Sequence, residues 1–575
     1  MITKDGELII KKMYFRCVKY SYIGSLVLMI NSVIDGMLIA HFLGEQATAS
    51  FGLIMPVYSL INLIPILLRS SVQTKIGEHL GRGDTKAARH CLFIVLTVGT
   101  AAAAILFIMF TFWGRQSISL LSAGASFSNE TISMASDYLH FISVSVFPII
   151  ISSVLHPVMQ LDGDIKRSAG AIQVGTVVNI AGDLINVLAL HGGMAGMAIA
   201  TDLSCFAELA WLLLHYRRTD CILKPDLSND RIDSVSLFTS GLPFMIRELT
   251  AFISGILLNR MVFNLSGATG VSILCVGNTI WLFMLPAAMA ISSAGNTLGG
   301  VCAGESDRRG TQLVFKMGIW YSLIPGVLLA AVFFLLAPAF AAFCGTDNNE
   351  STDIEIFLLR LLSLSLPVTM LCQATESNLN VTGRRKQAVV LSILEGGMIL
   401  LGVSWILGNN YGIWGIWVAK LAAPVVIAIF GFVISKLSYK SFPKSDYIET
   451  SVSTRAEVIG FSEEVRTLCR SNKMDSRHSN LAALCVEELA CNILQWGYEK
   501  GAGQGVDLRA AFDEGHIIIR IRDSGKQFDP VQYTRQFVTS GNDPLKNFGL
   551  RIVSGSAEEI HYSCIADCNV VLLKI

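Results

Sequence analysis

Long apolar runs alternate with short polar connections over the first 440 positions of this 575-residue chain. A helix of roughly 20 apolar residues is needed to cross the hydrocarbon core of a bilayer, and each run reaches about that length. The pattern therefore predicts an all-α membrane bundle of twelve transmembrane helices. The predicted spans are 17–41, 51–77, 91–113, 133–160, 168–190, 194–216, 237–263, 271–297, 314–338, 354–380, 387–407 and 412–436.

The twelve predicted spans form two copies of one unit. Landmark residues recur at nearly constant separations: 221 for Pro65 and Pro286, 221 for Gly83 and Gly304, 219 for Pro148 and Pro367, and 220 for Gly163 and Gly383. The sequence thus predicts two parallel six-helix repeats, an arrangement in which many membrane carriers form a substrate path between the halves.

The character of the chain changes near Pro443. The last 135 positions hold 33 of the 88 charged residues, about twice the density of the preceding part, so this segment is expected to lie in water rather than lipid. Helix-like patterning covers Glu449–Arg470 and Ser479–Tyr498, and strand-like runs cover Val506–Phe512, Ile517–Asp523 and Val570–Ile575. The predicted organisation is a first lobe at 1–216, a cytoplasmic linker at 217–236, a second lobe at 237–440 and a cytoplasmic α/β sandwich domain at 441–575.

The connections between spans alternate in charge. Lys and Arg occur at the N-terminus and then in every second connection, whereas the intervening connections carry none except Arg115. Because excess Lys and Arg mark cytoplasmic loops, both termini are predicted to be cytoplasmic in a multi-pass protein of the plasma membrane. The net charge of zero gives no indication of a nucleic-acid partner. The 13 cysteines are scattered and lack CxxC pairs, so we expect neither a metal site nor a disulfide framework among them.

Several polar motifs lie in or beside the predicted spans of the first half. They are Asn31-Ser-Val-Ile-Asp35, the Gly44 turn, Gly81-Arg-Gly-Asp84 with Arg89, Gly163 with Lys166, Asn179-x-x-x-Asp183, and Gly196 before Ala198-Ile-Ala-Thr201. Together they resemble the multidrug and toxin extrusion (MATE) transporters over about residues 12–440. The resemblance is weaker in the second half, where Ala303-Gly304-Glu305 replaces the Gly-x-Gly-Asp pattern.

A carboxylate near the bilayer centre costs several kcal/mol unless it is paired or protonated, so one that persists there is a functional candidate. Asn179 and Asp183 are four residues apart and share a helix face, and Asp35 is mid-span in the first helix. The resemblance implies that Asp35, Asn179, Asp183 and Thr201 form a cation-coupling cluster for H⁺ or Na⁺. The alternative is a hydrogen-bonded network that only joins helices.

The second half has intramembrane charges of its own, and Glu395 is the better candidate there for a second cation site. Glu248 lies next to Arg247 and is the expected ion-pair partner of that residue. Many carriers of this resemblance export cationic, aromatic drugs, so the resemblance implies the lipid bilayer and a small-molecule substrate as partners, with a cationic compound as one candidate. The sequence does not identify that substrate or decide between H⁺ and Na⁺.

Three motifs follow one another in the tail: Glu487-Glu488-Leu-Ala-Cys-Asn492, Asp523-Ser-Gly525-Lys-Gln-Phe528-Asp529-Pro530, and Phe548-Gly549-Leu550-Arg-Ile552-Val553. They resemble the GHKL ATP-binding fold, most closely its anti-sigma-factor serine kinase branch. The resemblance implies ATP with Mg²⁺, with Asn492 as the metal ligand and Glu488 as general base. The implied nucleotide-binding set is Glu488, Asn492, Asp523, Gly525, Phe528, Gly549 and Leu550, with Asp523 accepting from the adenine amino group.

The glycine-rich end of the usual nucleotide lid is reduced here to Gly549, with Asn547 and Phe548 where glycine is common. This departure leaves open an inactive tail domain. A sensor histidine kinase is disfavoured because no phospho-accepting helical hairpin precedes the domain, and an ABC-type engine because Gly-x-x-x-x-Gly-Lys-Ser/Thr is missing.

Two functions from different classes follow. The first is a cation-coupled efflux antiporter with a nucleotide-binding regulatory domain. The second is a membrane-anchored serine/threonine-kinase-like signalling protein, in which the bundle is a sensor or anchor and the tail phosphorylates a protein target or regulator.

Overall fold

The computed structural model describes residues 4–121, 128–218, 221–227, 233–344, 349–438, 446–498, 505–513, 515–530, 532–533, 553, 555 and 557–575. Helices dominate the chain up to residue 438. Those of the first half are α1 (Lys4–Leu38), α2 (Gly44–Ile61), α3 (Leu63–Gly81), α4 (Thr85–Leu121), α5 (Asn129–Ile142), α6 (Val146–Leu161), α7 (Ile165–Ile185) and α8 (Gly193–Leu213).

The second half has the same architecture after a short linking helix, α9 (Ser234–Thr239). Its helices are α10 (Leu242–Gly304), α11 (Arg308–Leu335), α12 (Ala337–Cys344), α13 (Asn349–Ser363), α14 (Leu366–Val381), α15 (Arg385–Ile393), α16 (Ile399–Tyr411) and α17 (Ile413–Ser438).

Two positive-φ glycines divide the longest helical stretches into separate membrane crossings. Within its described ranges the chain has eleven helical stretches long and apolar enough to cross a membrane, and the first, Glu7–Gly81, is 75 residues long. At 1.5 Å per residue this stretch is about 110 Å, more than three bilayer cores, so it cannot be one crossing. Gly44, with φ of +83°, divides it into two and raises the number of crossings from eleven to twelve. Gly267, with φ of +62°, divides α10 in the same way, and its two parts are already counted separately among the eleven. The described helices therefore provide the twelve predicted crossings.

The two lobes meet through small residues on α3 and α10. A Cβ at Gly81 would lie 2.1 Å from the carbonyl oxygen of Val301, and one at Gly304 would lie 2.1 Å from that of Glu78. Gly77 and Gly300 occupy the same face one turn earlier and also contact the opposite backbone. Such small-xxx-small faces let helix backbones approach closely. The lobes are therefore closed against each other at the end of the bundle that carries the tail.

The tail is a five-stranded antiparallel sheet with two helices. The strands are β1 (Asp446–Val452), β2 (Val506–Asp513), β3 (His516–Asp523), β4 (Glu559–Ile565) and β5 (Cys568–Lys574), in the order β1-β2-β3-β5-β4. The helices α18 (Arg455–Ser471) and α19 (Ser476–Asn492) pack on the face formed by Leu508, Ile519 and Ile521. The opposite face carries Arg509, Arg520 and Arg522, which alternate with the apolar positions.

The predicted helix at Glu449–Arg470 was wrong in its first part. Residues up to Val452 belong to β1, which pairs with β2, and α18 begins after a capping box formed by Thr454 and Glu457. The second predicted helix, Ser479–Tyr498, begins at Ser476 and ends its regular part at Asn492, with a wider turn over Ile493–Gly497. The sequence analysis also missed β4, although Glu559–Ile565 alternates polar and apolar residues over six positions.

We predict that Gly81→Ala destabilises the closed lobe contact by about 1–3 kcal/mol, because the added methyl group meets backbone atoms that cannot move aside. The thermal unfolding temperature of the purified protein in detergent should fall. Gly52→Ala is the matched control, since nothing lies within 4 Å of a Cβ at that helical position. An equal effect of the two substitutions would contradict the proposed role of the close contact.

Candidate functional site

Polar side chains from three helices of the first lobe meet inside the bundle. Asn31 on α1 donates through Nδ2 to Oδ1 of Asn179 on α7 at 2.6 Å and to Oδ2 of Asp35 at 3.3 Å. Asn179 in turn donates to Oγ1 of Thr201 on α8 at 3.5 Å. The structure thus brings Asp35, Asn179 and Thr201 together, as the sequence predicted.

Asp183 completes this cluster and is its most deeply buried member. Its side chain is fully buried and lies within hydrogen-bonding reach of the Asp35 carboxyl group. Among the described residues, no donor forms a hydrogen bond with either carboxylate oxygen of Asp183. Of the two oxygens of Asp35, only Oδ2 accepts one. Two carboxyl groups this close require a proton or a cation between them, because mutual repulsion and burial both disfavour two bare negative charges.

Two further residues belong to the cluster and were not predicted to have a role. Asn31 is part of a quoted motif and lies one helical turn before Asp35, so its position on the same face was a usable signal. Tyr138 on α5 lies beside Thr201, and no local sequence feature indicated it.

A second polar cluster lies in the other lobe around Arg247. This guanidinium group binds the fully buried Glu376 at 2.5 Å, Gln373 at 2.7 Å and Glu248 at 3.0 Å. Glu248 is thus an ion-pair partner of Arg247, as expected, but Glu376 is the buried one. Gln373 also donates to Oε1 of Glu395 at 3.2 Å.

Glu395 is the carboxylate of this cluster that has no salt bridge within the described chain, and its Oε2 has no hydrogen-bond partner there. It lies in a widened helical turn, Leu394–Met398, in which Gly397 has φ of +120°. Single widened turns of this kind occur frequently at functional sites. The geometry keeps Glu395 as the candidate for a cation site in the second lobe.

The tail contains a cavity of about 470 Å³ beside the end of β3. Asp523 lies at its base, where Oδ1 accepts from the backbone N–H of Gly525 at 2.8 Å and from Nδ2 of Asn569 at 2.9 Å. Burial raises the pKa of Asp523 above its ordinary value. Phe528 and Tyr533 line the same cavity with their rings 5.3 Å apart, an arrangement suited to a planar ligand.

The turn after β3 has no room for a side chain at Gly525. A Cβ there would lie 2.4 Å from the carbonyl oxygen of Gly497, and the next N–H, that of Lys526, donates to the same oxygen at 2.7 Å. The close approach holds the loop after β3 against the end of the α19 region.

Asn492 lines both this cavity and a neighbouring one of about 430 Å³, whereas Glu488 lines only the second. The two residues are one turn apart on α19, and Nδ2 of Asn492 donates to the backbone carbonyl of Glu488 at 2.7 Å, which leaves Oδ1 of Asn492 to act as a ligand. These positions fit a Mg²⁺ ligand at Asn492 and a base at Glu488. Gly549 and Leu550 lie outside the described residues.

A buried ion cluster joins the tail to the connection between α10 and α11. Arg520 binds Asp307 at 2.6 Å, Glu305 at 2.8 Å and Asp507 at 2.9 Å, and Arg522 binds Glu305 at 2.6 Å. Arg509 donates to the carbonyl oxygen of Ser306 at 3.1 Å. We call these residues, Glu305, Asp307, Asp507, Arg509, Arg520 and Arg522, the docking cluster.

The docking cluster contains three positive and three negative side chains, so it is neutral overall. The pKa of Asp307 shows how the charges compensate. Burial alone would raise it, but the three guanidinium groups hold the pKa of Asp307 well below its ordinary value. The structure also corrects the interpretation of the turn after α10 in the second half, since Gly304-Glu305-Ser306-Asp307 is the counterpart of Gly81-Arg82-Gly83-Asp84. Ser306 has φ of +53° where Gly83 has +79°, and Asp307 accepts from the N–H of Gly310 as Asp84 accepts from that of Ala87, so the departure from Gly-x-Gly-Asp is the serine in place of the second glycine.

The turn between β4 and β5 enters the same end of the bundle on the first-lobe side. Ala566 donates from its backbone N–H to the carbonyl oxygen of Gln160 at 3.2 Å, and Arg16 donates to the carbonyl oxygen of Asp567 at 2.8 Å. Ile565 and Ala566 are fully buried there. The tail therefore contacts both lobes.

The turn at Ala566 and Asp567, which we call the inserted turn, is connected to the tail cavity through few residues. Asn569, which holds Asp523, is two positions after the turn residue Asp567, and Oγ of the neighbouring Ser524 accepts from Nζ of Lys12 at 3.1 Å. Lys12 and Arg16 both lie on α1, so one helix of the first lobe contacts both the cavity loop and the turn.

Comparison with known protein families assigns both parts of the chain. The MatE family model matches residues 21–185 and 243–406, and a model described as a histidine kinase-like ATPase domain matches residues 452–575. The multidrug export protein MepA of Staphylococcus saprophyticus is 22% identical over 430 residues, which cover 72% of this chain and 90% of MepA. MepA of Staphylococcus aureus is 20% identical over 428 residues, covering 71% and 91%.

Solved structures show the same fold. A multidrug resistance MATE family transporter of the MOP superfamily, in an outward-facing conformation, aligns with a TM-score of 0.67 and 21% identity over 77% of this chain and 99% of that one. A MOP superfamily transporter from Pyrococcus furiosus aligns with a TM-score of 0.69 and 21% identity over 77% and 100%.

We predict that Asp523→Ala weakens binding of an adenine nucleotide by about 10- to 100-fold, because a charged hydrogen-bond partner at the base of the cavity is lost. Titration of the purified full-length protein with a fluorescent ATP analogue measures this. Glu464→Ala, an exposed acidic position on α18, is the control and should leave the affinity unchanged. Unchanged affinity in Asp523→Ala would mean that the nucleotide binds elsewhere.

Proposed function

The chain belongs to the MatE family, and from that premise we propose that it is a cation-coupled antiporter that exports xenobiotics across the plasma membrane under the control of its nucleotide-binding tail. The single observation that carries the proposal is the buried pair of Asp35 and Asp183. Its carboxyl groups lie within hydrogen-bonding reach of each other and leave three oxygens without a donor among the described residues.

A proton or Na⁺ bound at this pair can drive transport if its affinity differs between the two conformations of the bundle. A bound ion shifts a conformational equilibrium only by its differential affinity for the two states. Asn31, Asn179 and Thr201 supply neutral oxygens beside the pair, and a change in the packing of α1 against α7 would alter the distance between the carboxyl groups. Glu395 is proposed as a coupling residue of the second lobe.

The substrate is proposed to be a small organic molecule, by similarity to the multidrug export proteins among the relatives. The positively charged connections support a cytoplasmic location for the end of the bundle that carries the tail. The close packing of α3 against α10 at that end supports an outward-facing state, with the path between the lobes closed on the cytoplasmic side.

We propose that the tail binds ATP with Mg²⁺ and thereby controls this closure. Asn492 would hold the metal ion through Oδ1, and Asp523 would accept from the adenine amino group. The docking cluster attaches the tail to the second lobe and the turn at Ala566 attaches it to the first, so a docked tail favours the closed cytoplasmic side. ATP in the cavity beside Asn569 and Ser524 would loosen both attachments and raise the rate of transport.

We predict that Asp183→Asn lowers gradient-driven transport at least about 10-fold, because an amide at this position cannot take up the coupling proton or neutralise Na⁺. Uptake of a fluorescent cationic dye into proteoliposomes under an imposed pH or Na⁺ gradient measures the rate. Glu395→Gln in the same assay tests the contribution of the second lobe.

The control for Asp183→Asn is Asp226→Asn, an exposed position in the connection between the lobes, which should transport like the wild type. If Asp183→Asn transports at the wild-type rate, the coupling role is wrong. The alternative function, signalling by a serine/threonine-kinase-like tail, would be favoured if Glu488→Ala abolished the cellular phenotype while Asp183→Asn left it unchanged.

We predict that Arg520→Ala makes transport fast and independent of ATP. Removing one partner from a buried ion cluster costs about 3–5 kcal/mol, enough to release the tail. The dye assay with and without Mg-ATP measures this: the wild type should accelerate on addition of Mg-ATP, and Arg520→Ala should already be fast.

The matched control is Arg470→Ala, an exposed arginine on α18, which should keep the ATP response of the wild type. An Arg520→Ala variant that is slow without Mg-ATP and still accelerated by it would refute control through docking. That result would leave the coupling role of Asp183 untouched, because the two substitutions are tested separately.

A further inference from the structure

A compact set of side chains with three different ligand types lies where the first lobe meets the connection to the second. Asp162 follows α6, His215 lies in the turn after α8, and Cys221 begins the described part of the connection between the lobes. Their ligand atoms all lie within 4.8 Å of one another, and the three residues are buried, with exposed fractions of 4%, 0% and 8%.

The distances within this set are close to those of a metal site. Nε2 of His215 is 2.8 Å from Oδ2 of Asp162, and Sγ of Cys221 is 3.2 Å from the same oxygen. Zinc bonds of about 2.0–2.3 Å in a tetrahedral arrangement place ligand atoms about 3.3–3.8 Å apart. If these ligand atoms moved apart by a few tenths of an ångström, the ion would therefore fit between them without a rearrangement of the backbone.

The orientation of His215 is fixed as in many metal sites. Its Nδ1 lies 3.0 Å from Oδ2 of Asp164, which is in turn held by Arg167 at 2.8 Å and Arg218 at 3.3 Å. A histidine that ligates a metal usually donates its other ring N–H to a carboxylate, which directs the free lone pair to the ion. Here Asp164 directs Nε2 of His215 towards Asp162 and Cys221.

The backbone of the connection is also held at this point. The N–H groups of Ile222 and Leu223 donate to the Asp162 carboxylate at 3.1 and 3.3 Å, and Leu223 is fully buried. Cys221 is thus kept beside Asp162 by interactions that do not involve its own side chain, and the ligand set is preorganised.

We propose that Asp162, His215 and Cys221 bind a Zn²⁺ ion that fastens the connection between the lobes to the first lobe. Binding releases two protons to the solution, one from the thiol of Cys221 and one from Nε2 of His215, because both ring nitrogens of His215 face carboxylate oxygens in the metal-free site. The Asp162 carboxylate and the Cys221 thiolate then neutralise the dication in a buried site. Sulfur and imidazole ligands favour zinc over Mg²⁺ and Ca²⁺, which prefer oxygen. The proposal departs from the sequence expectation of no metal site, which rested on the lack of CxxC pairs, whereas these ligands are 6 and 53 residues apart.

The test is the metal content of the full-length protein, purified in detergent through a tag without histidine and measured by mass spectrometry. We expect about one zinc ion per chain, and in protein reloaded with Co²⁺ a thiolate-to-cobalt absorption band. Cys221→Ser should lose the zinc and the band, while Asp164→Asn should weaken zinc binding about 10- to 100-fold. Cys91→Ser, a buried cysteine on α4, is the matched control and should keep both.

Zinc well below one ion per chain with no cobalt band in the wild type would overturn the proposal and leave a hydrogen-bonded network only. Zinc retained in full by Cys221→Ser would overturn it as well. Serine can still donate to Asp162, so this variant keeps the local hydrogen bonds, and a monodisperse elution profile confirms that its loss of zinc does not reflect unfolding. None of these outcomes depends on whether the protein transports a substrate.

Discussion

A charge that is removed from water must be neutralised where it lies, and this constraint governs each important contact of the molecule. In the second lobe Arg247 is neutralised by Glu376 and Glu248 within the protein. In the docking cluster three arginines of the tail meet Glu305, Asp307 and Asp507. Asp35 and Asp183 differ from these groups, since they, like Glu395, have no salt bridge among the described residues. The proposal that the Asp35 and Asp183 pair binds a coupling ion rests on this missing compensation.

The tail is placed so that its ligand cavity, its inserted turn and its arginines all lie near one end of the bundle. Asn569, on the strand that begins just after the turn, donates to Asp523. Lys12 and Arg16, both on α1, contact the cavity loop at Ser524 and the turn at Asp567, respectively. A contiguous set of contacts is a physical basis for coupling only when both sites bias the same two-state element. In the proposed function that element is the close contact between α3 and α10, and the proposal is supported by the attachment of the tail to both lobes.

The sequence was sufficient for features that depend on periodicity and on spacing within one helix. Twelve crossings, the repeat and the shared face of Asn179 and Asp183 follow from such local patterns. Contacts between distant segments were beyond it. Nothing near Arg520 indicates that its partners are Glu305 and Asp307, more than 200 residues earlier, and nothing near Tyr138 indicates that it reaches Thr201. The end of β1 was predicted as the start of a helix because this short edge strand lies directly before α18. Its mixture of polar and apolar residues runs on into that of the helix without a visible break.

The inserted turn has a consequence for how the molecule is made. Ala566 and Asp567 are the two central residues of the β4–β5 hairpin and both have positive φ, at 51° and 58°. A two-residue hairpin turn of this type requires that conformation, which a non-glycine residue adopts reluctantly. The bundle residues that bond to this turn, Arg16 and Gln160, belong to the first lobe, whereas the arginines of the tail bond to Glu305 and Asp307 after α10. All of these partners are synthesised before the tail, and the tail makes its full set of contacts only on a bundle in which both lobes are in place. Docking of the tail thus doubles as a checkpoint on assembly: a chain with wrongly paired lobes would display a folded tail bearing three solvated arginines, a surface that a quality-control protease could distinguish from the finished protein.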